Sequence, residues 1–88
     1  MKKQITNEQQ WKLLVLILKK ISEEKGISHQ KIADVTGLQR SNVTRMFGLK
    51  YSPNMKTFLM VAKAINVNFF FEDKDSKMDL NKTFEAAM

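Results

Sequence analysis

The first third of the chain spaces its apolar residues like an α-helix. They recur every three or four positions, on one helical face: Trp11, Leu14, Val15, Leu18 and Ile21. Thr6 or Asn7 can cap this helix, with Gln9 or Gln10 reaching back to the cap, and Gly26 ends it. Three further apolar residues widen the stripe well beyond one face: Leu13, Leu16 and Ile17.

Two shorter helices joined by a tight turn are predicted between residues 28 and 47. Ser28 caps the first, which we expect to end near Val35. Gly37 permits the left-handed backbone that a sharp turn requires, and Leu38 fills the corner between the helices. The second helix is expected over about 39–47. Two helices joined in this way are typical of a helix-turn-helix motif, whose second helix enters the major groove of DNA.

Residues 50–54 are predicted to form a loop, because Pro53 keeps the preceding residue out of helical backbone. A fourth helix is predicted after this loop, over about 54–65. We expect its apolar side to be buried, which comprises Phe58, Leu59, Val61, Ala62 and Ile65. The pattern changes after Asn66. Val67, Phe69 and Phe71 alternate at a period of two, which favours a strand or hairpin. A short fifth helix around 69–73 is the alternative, and we expect residues 81–88 to begin another helix.

These elements predict a fold class that is mainly all-α. We expect a compact bundle of four to five helices, with a short C-terminal β-strand or hairpin as an optional addition. We divide the chain into a helix-turn-helix domain, residues 1–67, and a C-terminal extension, residues 68–88. The length of 88 residues suits one small unit that dimerisation would help to stabilise.

The third helix separates into a polar and an apolar side. At about 100° per residue, Val43 and Met46 share one side, and the other carries Arg40, Ser41, Thr44 and Arg45. Arginine donates two hydrogen bonds to guanine, and threonine can bond a base edge or contact a thymine methyl group. An ordinary solvated helix face would look similar. However, both arginines of the chain fall here, whereas its other thirteen basic residues are lysines.

Contacts to DNA phosphates are expected around this helix. The start of the second helix crosses the sugar-phosphate backbone in a helix-turn-helix, and the loop after the third helix can also reach phosphate. The expected phosphate contacts are Ser28, His29, Gln30, Asn42, Lys50 and Tyr51. A simple surface position is the alternative for His29, which has no partner in the sequence for catalysis or metal binding.

Charge is distributed unevenly along the chain. Residues 1–67 hold twelve basic and four acidic side chains, a net charge of +8, whereas residues 68–88 carry −2. A basic body indicates an anionic partner, although solubility alone is a second explanation.

Composition argues against several other classes of protein, namely metalloproteins, membrane proteins and enzymes. With no cysteine and one histidine, we expect no disulfide, no metal site and no cofactor. The apolar run Leu13–Leu18 is too short to span a membrane, and no signal peptide is evident. Membrane-surface binding through residues 11–21 would compete with closing the core. We expect that the protein is not an enzyme, because the sequence shows no nucleophile–base pair, carboxylate dyad or glycine-rich phosphate loop.

Residues 13–66 resemble the Xre family of helix-turn-helix regulators, which includes the phage Cro and lambda-type repressors. The resemblance is carried by Leu18, Ile21, Lys25 to Ser28, Ile32 to Asp34, Gly37-Leu38, Arg40 to Val43, Arg45-Met46, Pro53 to Met55, Leu59 and Ala62 to Val67. It implies a compact bundle of four or five helices that binds operator DNA as a dimer. By position, it assigns base contact to Gln39, Arg40, Ser41, Thr44 and Arg45, and phosphate contact to His29 and the loop near Lys50.

Two positions depart from the family pattern. Phe47 stands where the family often has a glutamate paired with an arginine of the first helix, and here that helix has no arginine. We expect a hydrophobic contact to replace the ion pair, because an unpaired buried charge is costly. Leu49 stands where glycine is usual, so we expect the turn that leaves the third helix to differ.

The leading functional hypothesis is a sequence-specific DNA-binding transcriptional regulator, a repressor by expectation, that acts as a homodimer. Its two half-sites would lie about one DNA turn, ~34 Å, apart. Phe69, Phe70 and Phe71 are the expected dimer contacts, unless they simply cap the core. The alternative is an antitoxin of a toxin–antitoxin pair, which would bind double-stranded DNA through the same fold and a toxin through a second surface. Either protein is expected to be of bacterial or phage origin, to be cytoplasmic and to associate with the nucleoid.

Overall fold

The computed structural model describes residues 5–69 and residue 75, and its helices confirm the all-α fold class. No strand occurs among these residues. The helices are α1, Asn7–Glu24; α2, His29–Thr36; α3, Arg40–Phe47; and α4, Met55–Ala64. Asn68 and Phe69 are not helical. The choice between a strand and a fifth helix, and the predicted helix over 81–88, otherwise lie outside the described residues.

Side-chain caps begin three of the helices. At α1, Thr6 Oγ1 accepts from the Gln9 N–H at 3.1 Å, while Gln9 Oε1 accepts from the Thr6 N–H at 3.0 Å. This reciprocal pair is the predicted capping box. Ser28 caps α2 through the Lys31 N–H, and Asn54 caps α4 through the Thr57 N–H.

Left-handed residues end the helices. Gly37 has a φ of 82°, and its N–H donates to the Ala33 carbonyl, so it forms the predicted turn between α2 and α3. Gly26 ends the α1 region in the same way, with a φ of 68°. Both observations follow from the freedom of glycine at positive φ.

Leu49 also adopts the left-handed conformation, with a φ of 61°. The Lys50 N–H donates to the Arg45 carbonyl at 3.0 Å and the Leu49 N–H to the Met46 carbonyl at 3.0 Å, the two bonds of a Schellman motif. The leucine therefore takes up the backbone geometry that glycine adopts most readily, at a cost of about 1–2 kcal/mol. Its side chain is half-buried against the core, which offsets part of that cost.

The core lies where the four helices meet. Its buried members are Val15 and Leu18 of α1, Ile32 and Ala33 of α2, Val43, Met46 and Phe47 of α3, Val61 and Ala62 of α4, and Ile65 just beyond it. Phe47 is 2% exposed in the same cluster as Val15 and Leu18, in agreement with the expected apolar contact.

Two residues of α4 are less buried than the sequence predicted. Leu59 was expected in the core but is 42% exposed, so that expectation is wrong. At 100° per residue, Leu59 lies more than 100° from the middle of the arc formed by Phe58, Val61, Ala62 and Ile65. Phe58 is only half-buried.

Lys25 joins the ends of α1 and α4. Its Nζ donates to the Ile65 carbonyl at 2.7 Å and contacts the Asn66 carbonyl at 3.3 Å. These carbonyls follow the last turn of α4, where backbone acceptors lack intrahelical donors and a cation is favoured. The chain therefore leaves α4 beside the C-terminal end of α1.

Candidate nucleic-acid interface

The exposed face of α3 brings together the four polar residues that the sequence placed on one arc. Arg40, Ser41, Thr44 and Arg45 line a shallow surface depression and are all exposed. The opposite face of the helix is anchored in the core by Val43, Met46 and Phe47. A short helix held in this way presents two guanidinium groups and two hydroxyl groups on a rigid support.

Arg45 is held by neighbouring side chains. Its Nη2 donates to Asn42 Oδ1 at 2.6 Å, and its guanidinium carbon lies 5.9 Å from the centre of the Tyr51 ring. The Tyr51 hydroxyl donates to the Asn42 carbonyl at 3.2 Å, which ties the loop after α3 to the helix. Asn42 and Tyr51, both predicted to contact phosphate, are therefore in contact with a residue predicted to contact bases.

His29 and Thr44 connect α2 to α3. His29 Nδ1 lies 2.9 Å from Thr44 Oγ1, and the imidazole packs at 54° against the ring of Phe47 with centroids 5.2 Å apart. Since Phe47 is buried, the histidine ring rests on a fixed surface. The Thr44 hydroxyl and its methyl group are thereby oriented by a residue from the neighbouring helix.

The N-terminus of α3 is polar and open. Gln39 is the N-cap residue, but its side chain makes no capping hydrogen bond, and it is exposed together with Arg40 and Ser41. The first backbone N–H groups of a helix lack intrahelical acceptors and attract anions. The predicted base contacts at Gln39, Arg40 and Ser41 thus lie where phosphate is also favoured.

The other three predicted phosphate contacts, Ser28, Gln30 and Lys50, differ from one another in their hydrogen-bond partners. Ser28 Oγ accepts the capping bond from Lys31, and its hydroxyl proton is still free to donate. Gln30 Nε2 donates to Asp34 Oδ1 at 2.8 Å, so its amide faces a carboxylate within its own helix. Lys50 is exposed directly after the left-handed Leu49.

Phe69 is the one predicted dimer contact among the described residues. It is 37% exposed, and its ring packs at 5.0 Å from the ring of Phe58. Part of the ring therefore covers α4 and part remains accessible. Phe70 and Phe71 lie outside the described residues.

Within the described part of the chain, no group of three histidine, aspartate or glutamate residues could hold a metal ion. No helix there is long and apolar enough to cross a membrane. All buried side-chain nitrogen and oxygen atoms in this part have hydrogen-bond partners.

Some contacts of the site could not be predicted from local spacing. Asn42 and Arg45 are three positions apart, a spacing at which side chains of one helix meet, so the sequence contained that signal. His29 and Thr44 are fifteen positions apart, and only the crossing of α2 and α3 brings them together.

No protein-family model matches the sequence, and comparisons with curated proteins and with solved structures found no match.

Proposed function

We propose that this protein is a sequence-specific DNA-binding transcriptional regulator of the helix-turn-helix type, which inserts α3 into the major groove. One observation carries the proposal: Arg40, Ser41, Thr44 and Arg45 share the exposed face of a helix whose other face is buried. Both arginines of the chain lie there. Planar, two-pronged donors are the side chains best suited to guanine O6 and N7.

The contacts of Arg45 support a role in base recognition. A long side chain loses about 0.5–1.5 kcal/mol of conformational freedom when it is fixed in an interface. Asn42 and Tyr51 restrict Arg45 before DNA arrives, so part of that loss has already occurred in the free protein. Thr44, oriented by His29, offers its hydroxyl to a base edge or its methyl group to thymine.

Phosphate contacts complete the proposed interface. The N-termini of α2 and α3 supply backbone N–H groups, and Ser28, His29 and Lys50 supply side-chain donors. Tyr51, whose hydroxyl donates to the Asn42 carbonyl, would reach phosphate by exchanging that hydrogen bond. The net charge of +8 over residues 1–67 strengthens attraction to the duplex. We propose a homodimer with half-sites ~34 Å apart. Phe69, Phe70 and Phe71 are its proposed contacts, in line with the partial exposure of Phe69.

The experiment is selection of duplex DNA from a random library by the full chain, followed by affinity measurements on the enriched site. The variant with Arg40→Ala and Arg45→Ala should lose most of its preference for this site over random DNA, because each two-pronged arginine contact provides about 1–3 kcal/mol of discrimination. The control replaces two lysines of α4, Lys56→Ala and Lys63→Ala, and removes the same charge. Unchanged preference in the arginine variant would reject the assigned face.

A further inference from the structure

His29 and Thr44 share a hydrogen bond whose direction decides what the threonine can offer to DNA. His29 Nδ1 and Thr44 Oγ1 lie 2.9 Å apart, and the two side chains come from different helices. The imidazole packs with its centroid 5.2 Å from that of Phe47, which is 2% exposed, so a buried side chain supports the ring. Thr44 itself is exposed on the polar face of α3. Its hydroxyl group therefore has a histidine as a fixed partner and remains accessible to a base.

The proposed phosphate contact of His29 determines which ring nitrogen carries a proton. Nδ1 is engaged with Thr44, so Nε2 is the nitrogen left for a phosphate. Phosphate oxygens without a proton only accept hydrogen bonds, and a neutral imidazole carries its single proton on one of its two nitrogens. A phosphate contact therefore requires the proton on Nε2, which makes Nδ1 of the neutral ring an acceptor. A second proton on the ring turns Nδ1 into a donor.

The two proton states of His29 give Thr44 opposite roles. Beside the neutral ring, the Thr44 hydroxyl donates its only proton to Nδ1, and its oxygen lone pairs remain for DNA. Beside the charged ring, Nδ1–H donates to Oγ1, and the hydroxyl proton is free to be donated to DNA. In the major groove, adenine and cytosine present amino donors, whereas guanine and thymine present acceptors without an amino group.

We propose that His29 is a positioning residue whose proton state sets the class of base that Thr44 reads. Thr44 prefers an amino base, adenine or cytosine, while His29 is neutral, and a keto base, guanine or thymine, when His29 is charged. This inference rests on the proposed insertion of α3 into the major groove. It deepens that function, because it gives one position of the DNA site a base preference that changes with pH.

A change of base preference near neutral pH can be traced to one side chain. His29 is the one histidine of the chain, which has no cysteine, and histidine is the only side chain whose ordinary charge change falls between pH 5 and 8. Asp34 accepts from Gln30 at 2.8 Å and Arg45 donates to Asn42 at 2.6 Å, so each has a partner other than His29. The charged side chains on the two helices that meet at His29 are Lys31 and Asp34 of α2 and Arg40 and Arg45 of α3.

Selection of duplex DNA from a random library by the full chain, at pH 5.5 and at pH 7.5 and at equal salt concentration, tests the proposal. Affinities are then measured for the enriched site with each of the four bases at every position. At one position, the ratio of affinity for amino bases to affinity for keto bases should be about fivefold higher at pH 7.5, the factor that one hydrogen bond typically provides.

Three variants assign this change to the pair of side chains. Thr44→Val keeps the shape of the side chain and removes the hydroxyl group, and His29→Asn replaces the imidazole by an amide that does not titrate. Each should make the ratio independent of pH. Thr57→Val on α4 is the matched control, which makes the same chemical change away from α3 and should keep the pH dependence. Circular dichroism verifies that each variant is helical, and the test stands if either Thr44→Val or His29→Asn folds.

The outcomes separate this inference from the proposed function. A ratio that is equal at both pH values at every position would overturn the inference alone, since the protein would still select a site. A change that persists in Thr44→Val and in His29→Asn would also overturn it, by assigning the effect to another group. Failure to enrich any sequence at either pH would reject the proposed function and this inference with it. A purely structural or electrostatic role of His29 would alter the affinity for all sequences alike and leave the ratio unchanged.

Discussion

At the scale of single residues, the site depends on a few side chains that hold others in place. Arg45 is the clearest case, because Asn42 accepts its hydrogen bond at 2.6 Å and Tyr51 lies under its guanidinium group. The polar arc containing Arg45 could be predicted from helical spacing. The link between His29 and Thr44 could not, since it depends on how two helices cross.

We predict that Asn42→Ala weakens binding to the preferred DNA site up to about tenfold, as the loss of roughly 0.5–1.5 kcal/mol of preorganisation implies. If Asn42 acts through Arg45, the losses caused by Asn42→Ala and Arg45→Ala do not add in the double variant. Fluorescence anisotropy titrations of the three variants measure this coupling. Fully additive losses would mean that Asn42 contacts DNA independently of Arg45.

At Gly37, the energetic cost of a left-handed backbone can be measured separately from steric clashes of an added side chain. A Cβ atom at this position would meet no atom within 4 Å, but the φ of 82° is strained for any residue with a Cβ. We expect Gly37→Ala to lower the free energy of unfolding by about 1–2 kcal/mol, and Gly37→Asn by less, because asparagine tolerates this conformation better. Urea unfolding measures both. Equal stability of the alanine variant and the original chain would contradict this view of the turn.

At the scale of secondary structure elements, local signals predicted the helix boundaries well. Thr6 with Gln9, Ser28 and Gly37 are short-range features, and each acts in the structure as its sequence pattern indicated. Leu59 was misassigned because the spacing of apolar residues defines a helical face, whereas the depth of burial depends on which neighbours cover it. The sequence also showed that α1 is apolar beyond one face, but not which residues would be left exposed.

Lys25 provides a test of how α1 is joined to α4. We expect Lys25→Met to lower the free energy of unfolding by about 1 kcal/mol, because the Ile65 carbonyl loses a charged donor at a partly exposed position. The control Lys56→Met changes an exposed lysine of α4 by the same chemistry and should have little effect. If both variants unfold at the same urea concentration, the bond from Lys25 contributes nothing measurable.

At the scale of the whole molecule, the net charge supports the proposed anionic partner. The basic body and the exposed arginines of α3 agree with an anionic partner. A mainly all-α class could be predicted from helical periodicity and capping signals up to Ile65, whereas the period-two pattern after Asn66 favoured a strand. The partner of the chain could not be derived in the same way, because exposed polar residues serve both solubility and recognition.

Salt dependence provides a prediction for the molecule as a whole. Affinity for DNA should fall steeply with salt, and Lys50→Ala should reduce the slope of log K against log salt concentration by about 0.9, as expected for one lost phosphate contact. Lys63→Ala on α4 should leave the slope unchanged. An unchanged slope for Lys50→Ala would remove this lysine from the proposed interface.

Footprinting of the protein on the genomic DNA of its source tests the central proposal most directly. We predict protected sites with two-fold symmetry, in which two half-sites containing guanine lie ~34 Å, or about ten base pairs, apart. Protection should disappear when Arg40 and Arg45 are both replaced by alanine. The absence of any enriched sequence, or an identical footprint from the arginine variant, would contradict the assignment of α3 as the DNA-reading helix.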